Sequence, residues 1–316
     1  MNKKPLIILT GPTAVGKTKA SIALAKAVNG EIISADSMQV YKYMDIGTAK
    51  ITTEEMDGVT HYLIDDLLPN QEFSVAVFKE MALKAMNEIY EKGKIPIIVG
   101  GTGFYIQALL YDIDFSEVEG HPYREELECF AQEHGANALH HRLLEIDPQA
   151  AKDIHENNVK RVIRAIEYYY ENGRKISEHN ALEREKESPY TFCYIVLNDK
   201  REHLYSRIDS RIDIMKDQGL VEEVEGLLQA GYSRDLVAMQ GLGYKEIVAY
   251  LEGEISLEEA LRILKRDTRH FAKRQITWFK RERDVQWIQK DAYEYDEEKI
   301  KDAIIALLIE RDIISC

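Results

Sequence analysis

The sequence predicts an α/β protein: a parallel sheet with crossover helices, interrupted by an all-helical insertion. Three observations carry this. Short apolar runs ending near glycine alternate with helical patterns through the first third, strand signals vanish from about residue 120 to 188, and one more strand pattern returns at 190–197. Apolar runs separated by helical segments are the pattern of buried parallel strands joined by right-handed crossovers. The expected division is a core over 1–119, a helical insertion over 120–188, and the remainder of the core, mostly helical, over 189–316.

The elements follow in order. Pro5 to Thr10 is a short apolar run that ends in a glycine turn, and Lys17 to Val28 follows with helix formers and apolar residues at 22, 24, 25 and 28. Glu31 to Ser34 reads as a second strand, closed by Ala35-Asp36-Ser37. A helix is expected from Ser74 to Tyr90, stopped by Gly93, before a third strand from Ile95 to Val99. Inside the insertion, Val159, Val162, Ile163, Ile166 and Tyr170 have the spacing of one buried helix face, and Lys160, Arg161 and Arg164 share another. After a strand at Tyr190 to Leu197, helices are expected nearly to the end. The longest, Ser256 to Lys280, opens with the capping box Ser256-x-x-Glu259. Leu257, Leu264, Phe271 and Trp278 would form its core stripe; Arg262, Arg266, Arg269, Lys273 and Lys280 form a basic one.

Composition narrows the function classes. Of 316 residues, 45% are apolar and 30% charged, the ordinary balance of a folded soluble chain. No apolar run approaches the roughly 18 residues of a membrane span, and Pro5 to Leu9 is too short for a secretory signal. A cytoplasmic protein with no membrane partner is expected. Cys129, Cys193 and Cys316 have neither disulfide nor metal spacing. The net charge of −14 argues on average against a nucleic-acid partner. Yet residues 262–283 hold nine Lys/Arg against two acids, leaving a segregated basic stripe on an acidic chain. Such a stripe suits a polyanion, and equally a solvated helix face.

Gly11-Pro12-Thr13-Ala14-Val15-Gly16-Lys17-Thr18 matches G-x-x-x-x-G-K-[ST] between a strand and a helix, which points to a P-loop NTPase-like core. The glycines turn backbone amides inward around a phosphate, Lys17 neutralises it, and the Thr18 hydroxyl can ligate Mg²⁺. Asp36 closes the second strand, where a carboxylate can hold Mg²⁺ through water, act as a base, or simply stabilise a turn. Gly100-Gly101-Thr102-Gly103 closes the third strand, either as a tight turn or as a site element. Ligands on parallel sheets bind at the carboxyl ends of strands, which is where all three segments fall.

These segments carry a resemblance. Gly11–Thr18, the block Ile33 to Lys50 with Met44-Asp45-Ile46-Gly47-Thr48-Ala49-Lys50, Val99 to Leu109, Asn158 to Ala165, Gly241 to Glu246 and Thr268 to Phe279 resemble, in order, the bacterial tRNA dimethylallyltransferases. The resemblance spans nearly the whole chain and implies transfer of a dimethylallyl group from dimethylallyl diphosphate to the exocyclic amine of adenosine 37, beside the tRNA anticodon. It implies that the P-loop cradles the diphosphate, with Mg²⁺ on Thr18 as cofactor, and that Asp36, Thr18, Lys17 and Arg211 are the catalytic residues. Asp36 would be the base. Arg207 competes with Arg211 for the leaving group. The implied tRNA contacts are Asp36, Ser37, Met38 and Gln39; Thr102; Arg124; Lys160, Arg161, Val162, Ile163 and Arg164; Gln240, Gly241, Leu242, Gly243, Tyr244 and Lys245; and Lys273, Arg274, Gln275, Ile276, Thr277, Trp278, Phe279 and Lys280. The helical insertion would grip the anticodon stem-loop, and the protein would act as a monomer.

Two other readings fit the P-loop. A small-molecule kinase would place ATP in the loop and use Asp36 as base toward a hydroxyl. A GTPase-type switch lacks support, because the sequence has no Asn-Lys-x-Asp motif.

Overall fold

A computed structural model describes residues 3–113 and 123–315, so the expected boundary at 120 and Cys316 lie outside the described residues. Its six strands are β1 (Lys4–Thr10), β2 (Gly30–Ala35), β3 (His61–Tyr62), β4 (Ile95–Gly100), β5 (Tyr190–Asn198) and β6 (Val285–Gln289). They form one sheet in the order β3-β2-β4-β1-β5-β6, with every pairing parallel. Leu6 to Leu9 of central β1 are fully buried, as a strand covered on both faces requires. Two strands lie outside the sequence expectation. β3 has only two residues, and Val285-Gln286-Trp287-Ile288-Gln289 is a short edge strand of mixed polarity, where the sequence pattern suggests only helices.

In the core unit, comprising residues 1–110 and 189–316, helix α1 (Lys17–Val28) buries Ala20, Leu24 and Ala25. It is followed by α2 (Thr53–Met56), by α3 (Val75–Glu91), whose N-cap is Ser74, and by α4 (Gly103–Leu110). Residues 111–188 form a separate compact unit with helices α5 (Arg124–Ile146), α6 (Pro148–Asp153), α7 (Val159–Asn172) and α8 (Ile176–Glu185). Its core is Leu127, Leu139, Leu143, Val162, Ile163 and Ile166, with Val159 and Tyr170 packed at the margin. The core unit resumes after β5 with α9 (Arg201–Asp217), α10 (Leu220–Gln229), α11 (Tyr244–Leu251), α12 (Leu257–Phe279) and, after β6, α13 (Glu297–Glu310). Among the described residues no helix is long and apolar enough to cross a membrane.

Helix α12 departs from its sequence pattern in two ways. Its buried line is Ala260, Leu264, Ala272, Gln275 and Phe279, so of the heptad-spaced stripe only Leu264 is buried. A straight α-helix drifts about 20° per heptad, which carries a strict seven-residue stripe off the packed face. The capping box is only half made: Ser256 Oγ accepts from the Glu259 N–H, while the Glu259 carboxylate takes both ends of Arg262.

Near the amino end of β2, Glu31 is 2% exposed and accepts from Tyr62 Oη at 2.9 Å, Lys92 Nζ at 3.0 Å and Lys94 Nζ at 2.8 Å. Burial pushes its carboxyl up, and these donors outweigh burial to hold it at about 2. A carboxylate depressed in the folded state contributes stability that is complete above its ordinary value of 4.5 and is lost as pH falls toward 2. Glu31→Gln should therefore lower unfolding free energy by on the order of 2–3 kcal/mol near neutral pH. Urea titrations of both proteins at successively lower pH should show that deficit shrinking below the ordinary value; a deficit independent of pH would contradict it.

Candidate active site at the carboxyl edge of the sheet

β1, β2 and β4 end side by side, so the three loops singled out in the sequence meet at one edge. The loop after β1 bends through left-handed backbone at Ala14 (φ 63°) and Gly16 (φ 96°), a succession that turns N–H groups inward. Lys17 folds back over it, with Nζ donating to the carbonyls of Gly11 and Pro12 at 3.0 Å each. Burial, and then the neighbouring charge of Arg211, pull the Lys17 ammonium down to about 8; the Asp36 carboxylate opposes them. Asp36 is the mirror case. Burial pushes its carboxyl up, against the Met38 N–H at 2.9 Å, the Lys17 charge and the Gln39 N–H. Burial prevails over the ammonium, so this carboxylate is a stronger proton acceptor than one in water.

Two of the arginines on α9, Arg207 and Arg211, face the loop. The Arg207 guanidinium lies 3.5 Å from the point where a side chain on Gly16 would begin. Arg211 acts on Lys17 and is itself held down by burial and then by Arg207. A further cation has no counterpart in the sequence reading: Lys290, 2% exposed, sits against Gly16 and pairs with Glu297 at 2.9 Å. Lone lysines are almost never this buried without a partner, and nothing near position 290 in the sequence signals the role.

The second loop is joined to the first by Gln275. Its Oε1 accepts from the Thr13 N–H at 2.9 Å and its Nε2 donates to the Gly101 carbonyl at 3.0 Å. Gly101 has to be glycine, because a Cβ there would stand 2.1 Å from Gln275 Nε2. The Thr102 N–H donates to Ala35 O at 3.1 Å, which closes this loop on the end of β2. Phe104, 41% exposed, meets Trp278 edge-on at a centroid distance of 6.2 Å.

The positions expected to touch RNA divide. Met38 packs on Gly241, which brings the 36–39 turn to the 240–245 segment. Val162, Ile163, Tyr244, Gln275 and Phe279 are corrections: they are at most 6% exposed, because each lies on the packed face of its helix, so their side chains are not an RNA surface. Arg124 and Arg164 are both tied to fully buried Glu167, at 2.7 and 3.3 Å. Lys160 and Arg161 remain exposed beside them. The basic stripe of α12 is similarly thinned. Arg262, Arg266 and Arg269 pair with Glu259, Asp267 and Asp209, while Lys273, Arg274 and Lys280 stay exposed.

Thr18 borders a small cavity also lined by Ser21, Ser34, Gln39 and His61. Among the described residues no three His, Cys, Asp or Glu side chains cluster as a metal site. A hydroxyl at Thr18 and a carboxylate at Asp36 are too few donors for an all-protein cage. They suit Mg²⁺, which keeps waters and takes phosphate oxygens.

A family profile described as IPP transferase matches residues 39–282. The chain is 63% identical over 312 residues to a tRNA dimethylallyltransferase of Lachnoclostridium phytofermentans, covering 98% of this chain and 99% of that one. It is 55% identical to one of Acetivibrio thermocellus, over 94% and 95% of the two chains. Its fold is similar to the crystal structure of a full-length tRNA isopentenylpyrophosphate transferase from Bacillus halodurans, with a TM-score of 0.74, 45% identity and 98% coverage of both chains. It is also similar to a eukaryotic dimethylallyltransferase captured acting on tRNA, with a TM-score of 0.81 and 30% identity over 95% of this chain and 78% of that one.

Gly101→Ala tests the coupling of the two loops. Forcing Gln275 out of both hydrogen bonds should cost about 1–3 kcal/mol of stability and weaken the binding of inorganic diphosphate in the same variant. Thermal unfolding and calorimetric titration check it; unchanged diphosphate affinity would disconnect Gln275 from the phosphate loop.

Proposed function

Because the chain belongs to the IPP transferase family, we propose that it is a tRNA dimethylallyltransferase. It moves a dimethylallyl group from dimethylallyl diphosphate to the exocyclic N6 amine of adenosine 37, beside the tRNA anticodon, and releases diphosphate. One observation supports this reading most: a phosphate loop ringed by Lys17, Arg207 and Arg211 stands beside a single desolvated carboxylate, Asp36, on the adjoining strand end.

The chemistry follows from the placement. As the N6–carbon bond forms and the carbon–oxygen bond to diphosphate breaks, negative charge grows on the leaving group. Lys17, the inward amides and the two arginines are aimed at that charge and are fixed before the reaction starts. The amine must lose a proton as it becomes alkylated, and Asp36 takes it. Thr18, with Asp36 nearby, would hold Mg²⁺, which neutralises phosphate charge when bound. The P-loop reads phosphate oxygens alone, so a prenyl diphosphate fits where a nucleotide binds in other proteins. Adenine inside a stacked anticodon loop cannot reach a sheet-edge crevice, so the base leaves its stack to react. Exposed Lys160 and Arg161 on α7, and Lys273, Arg274 and Lys280 at the end of α12, supply cations for RNA phosphates.

The direct test is incubation with labelled dimethylallyl diphosphate, unmodified tRNA and Mg²⁺. Label in RNA supports the reading; ATP turnover without RNA and no label would overturn it in favour of a kinase. In the same assay Asp36→Asn should slow transfer by roughly 10²–10⁴ with diphosphate affinity nearly unchanged, and near-normal turnover would remove the base. Replacing Lys160 and Arg161 together by alanine should weaken tRNA binding. Each cation taken away from an RNA phosphate should reduce the slope of log affinity against log salt by about 0.7–0.9. Arg164 is left in place so that Glu167 keeps its partners. Titrations at two salt concentrations check this, and an unaltered slope would mark these two residues as a solvated face.

A further inference from the structure

The most distinctive block of the sequence, Met44 to Lys50, holds none of the groups placed in the reaction above. It is nevertheless bound by an unusual arrangement. The Glu223 carboxylate, on α10, accepts from three consecutive backbone amides: Asp45 N at 2.8 Å, Ile46 N at 2.7 Å and Gly47 N at 3.0 Å. The buried Tyr244 hydroxyl donates to the same carboxylate at 2.7 Å. Charge-assisted bonds of this length are the strong class, and three adjacent amides aimed at one anion form a nest. The Tyr244 ring stands where a Cβ on Gly47 would be, at 2.6 Å, so only glycine lets ring and loop share the carboxylate. The neighbouring acids Glu222 and Glu225 are exposed, while Glu223 is half-buried.

The nest is linked to the reacting edge by a short series of bonds. Past it, the carbonyls of Thr48 and Ala49 accept from Gln39 Nε2 at 3.3 Å each. Gln39 belongs to the same turn as Asp36, whose Oδ1 is held by the Met38 N–H. Lys50, its side chain almost wholly buried, closes the loop by donating to the Tyr41 carbonyl at 2.7 Å and to Asp45 and Asp65 at 2.6 and 2.5 Å. None of these bonds involves the phosphate loop.

We propose that Glu223 is a positioning residue of the transfer reaction: by anchoring the 45–47 amides it fixes Gln39, and through it the turn that presents Asp36 to the attacking amine. The proposal rests on the transferase reading. It separates two halves of one site, because losing Glu223 should misplace the base while leaving diphosphate binding alone. A displacement near 1 Å costs about 10²-fold in rate.

The experiment compares wild type, Glu223→Ala, Glu223→Gln and Tyr244→Phe for labelled transfer to tRNA and for calorimetric binding of inorganic diphosphate. For Glu223→Ala, kcat should fall about 10²-fold with KM for dimethylallyl diphosphate and diphosphate affinity within about twofold of wild type. Glu223→Gln retains one acceptor oxygen and should recover part of kcat; Tyr244→Phe, which leaves the amide nest intact, should lose less than either. A parallel loss of kcat and diphosphate affinity would make Glu223 a general support of the fold and overturn the proposal, as would a variant as fast as wild type. If Glu223→Ala does not fold, Glu223→Gln decides on the same criteria. A wild type that leaves tRNA unlabelled overturns the transferase reading and this inference with it; a fast Glu223→Ala beside an active wild type overturns this inference alone.

Discussion

One buried side-chain amide sets the geometry of the sheet's carboxyl edge. Gln275 reaches across from α12 and satisfies both its ends, one on the Thr13 amide and one on the Gly101 carbonyl. A buried polar group left half-bonded is costly, so the amide holds both loops only in the one arrangement that serves both bonds. Helix α12 must therefore deliver residue 275 to a fixed point, and the line of Ala260, Leu264, Ala272 and Phe279 packs it there. In this way a residue more than 260 positions away in the chain from Thr13 sets how far apart two strand ends stand.

The charge distribution is less simple than a stripe. Arg262, Arg266 and Arg269 in the basic window of α12 are held by acids, two on that helix and one, Asp209, on α9. Buried positive charge is concentrated instead around the phosphate loop. There burial lowers both Lys17 and Arg211, the mark of cations held in a poorly solvated setting. Cations crowded together in a desolvated pocket attract a multiply charged ligand more strongly than the same cations spread over a solvated face.

Much of this is legible in the sequence, for physical reasons. β1, β2, β4 and β5 are continuous apolar runs because both their faces are covered, and the phosphate loop is a contiguous motif whose spacing encodes its own geometry. β3 and β6 escape a sequence reading because an edge strand of two residues, or one of five broken by two glutamines, carries no such signal. Glu223 and Lys290 escape it for a different reason. In Leu220-Val221-Glu222-Glu223-Val224-Glu225 nothing separates the anchoring glutamate from its solvated neighbours; only the tertiary fold, which sets it against residues 45–47, does so. Gln275 and Tyr244 stand out through a family resemblance that does not tell an inward side chain from an outward one.

The posture of Lys17 has a consequence for the shape of its loop. Its ammonium caps two carbonyls of its own loop, so the side chain is braced across the turn by acceptors the loop itself supplies. Those acceptors are neutral, and hydrogen bonds from an ammonium to neutral oxygens are weaker than those to charged ones. The loop thus carries its own brace, and the cation at its centre is positioned by backbone carbonyls rather than by a neighbouring acid.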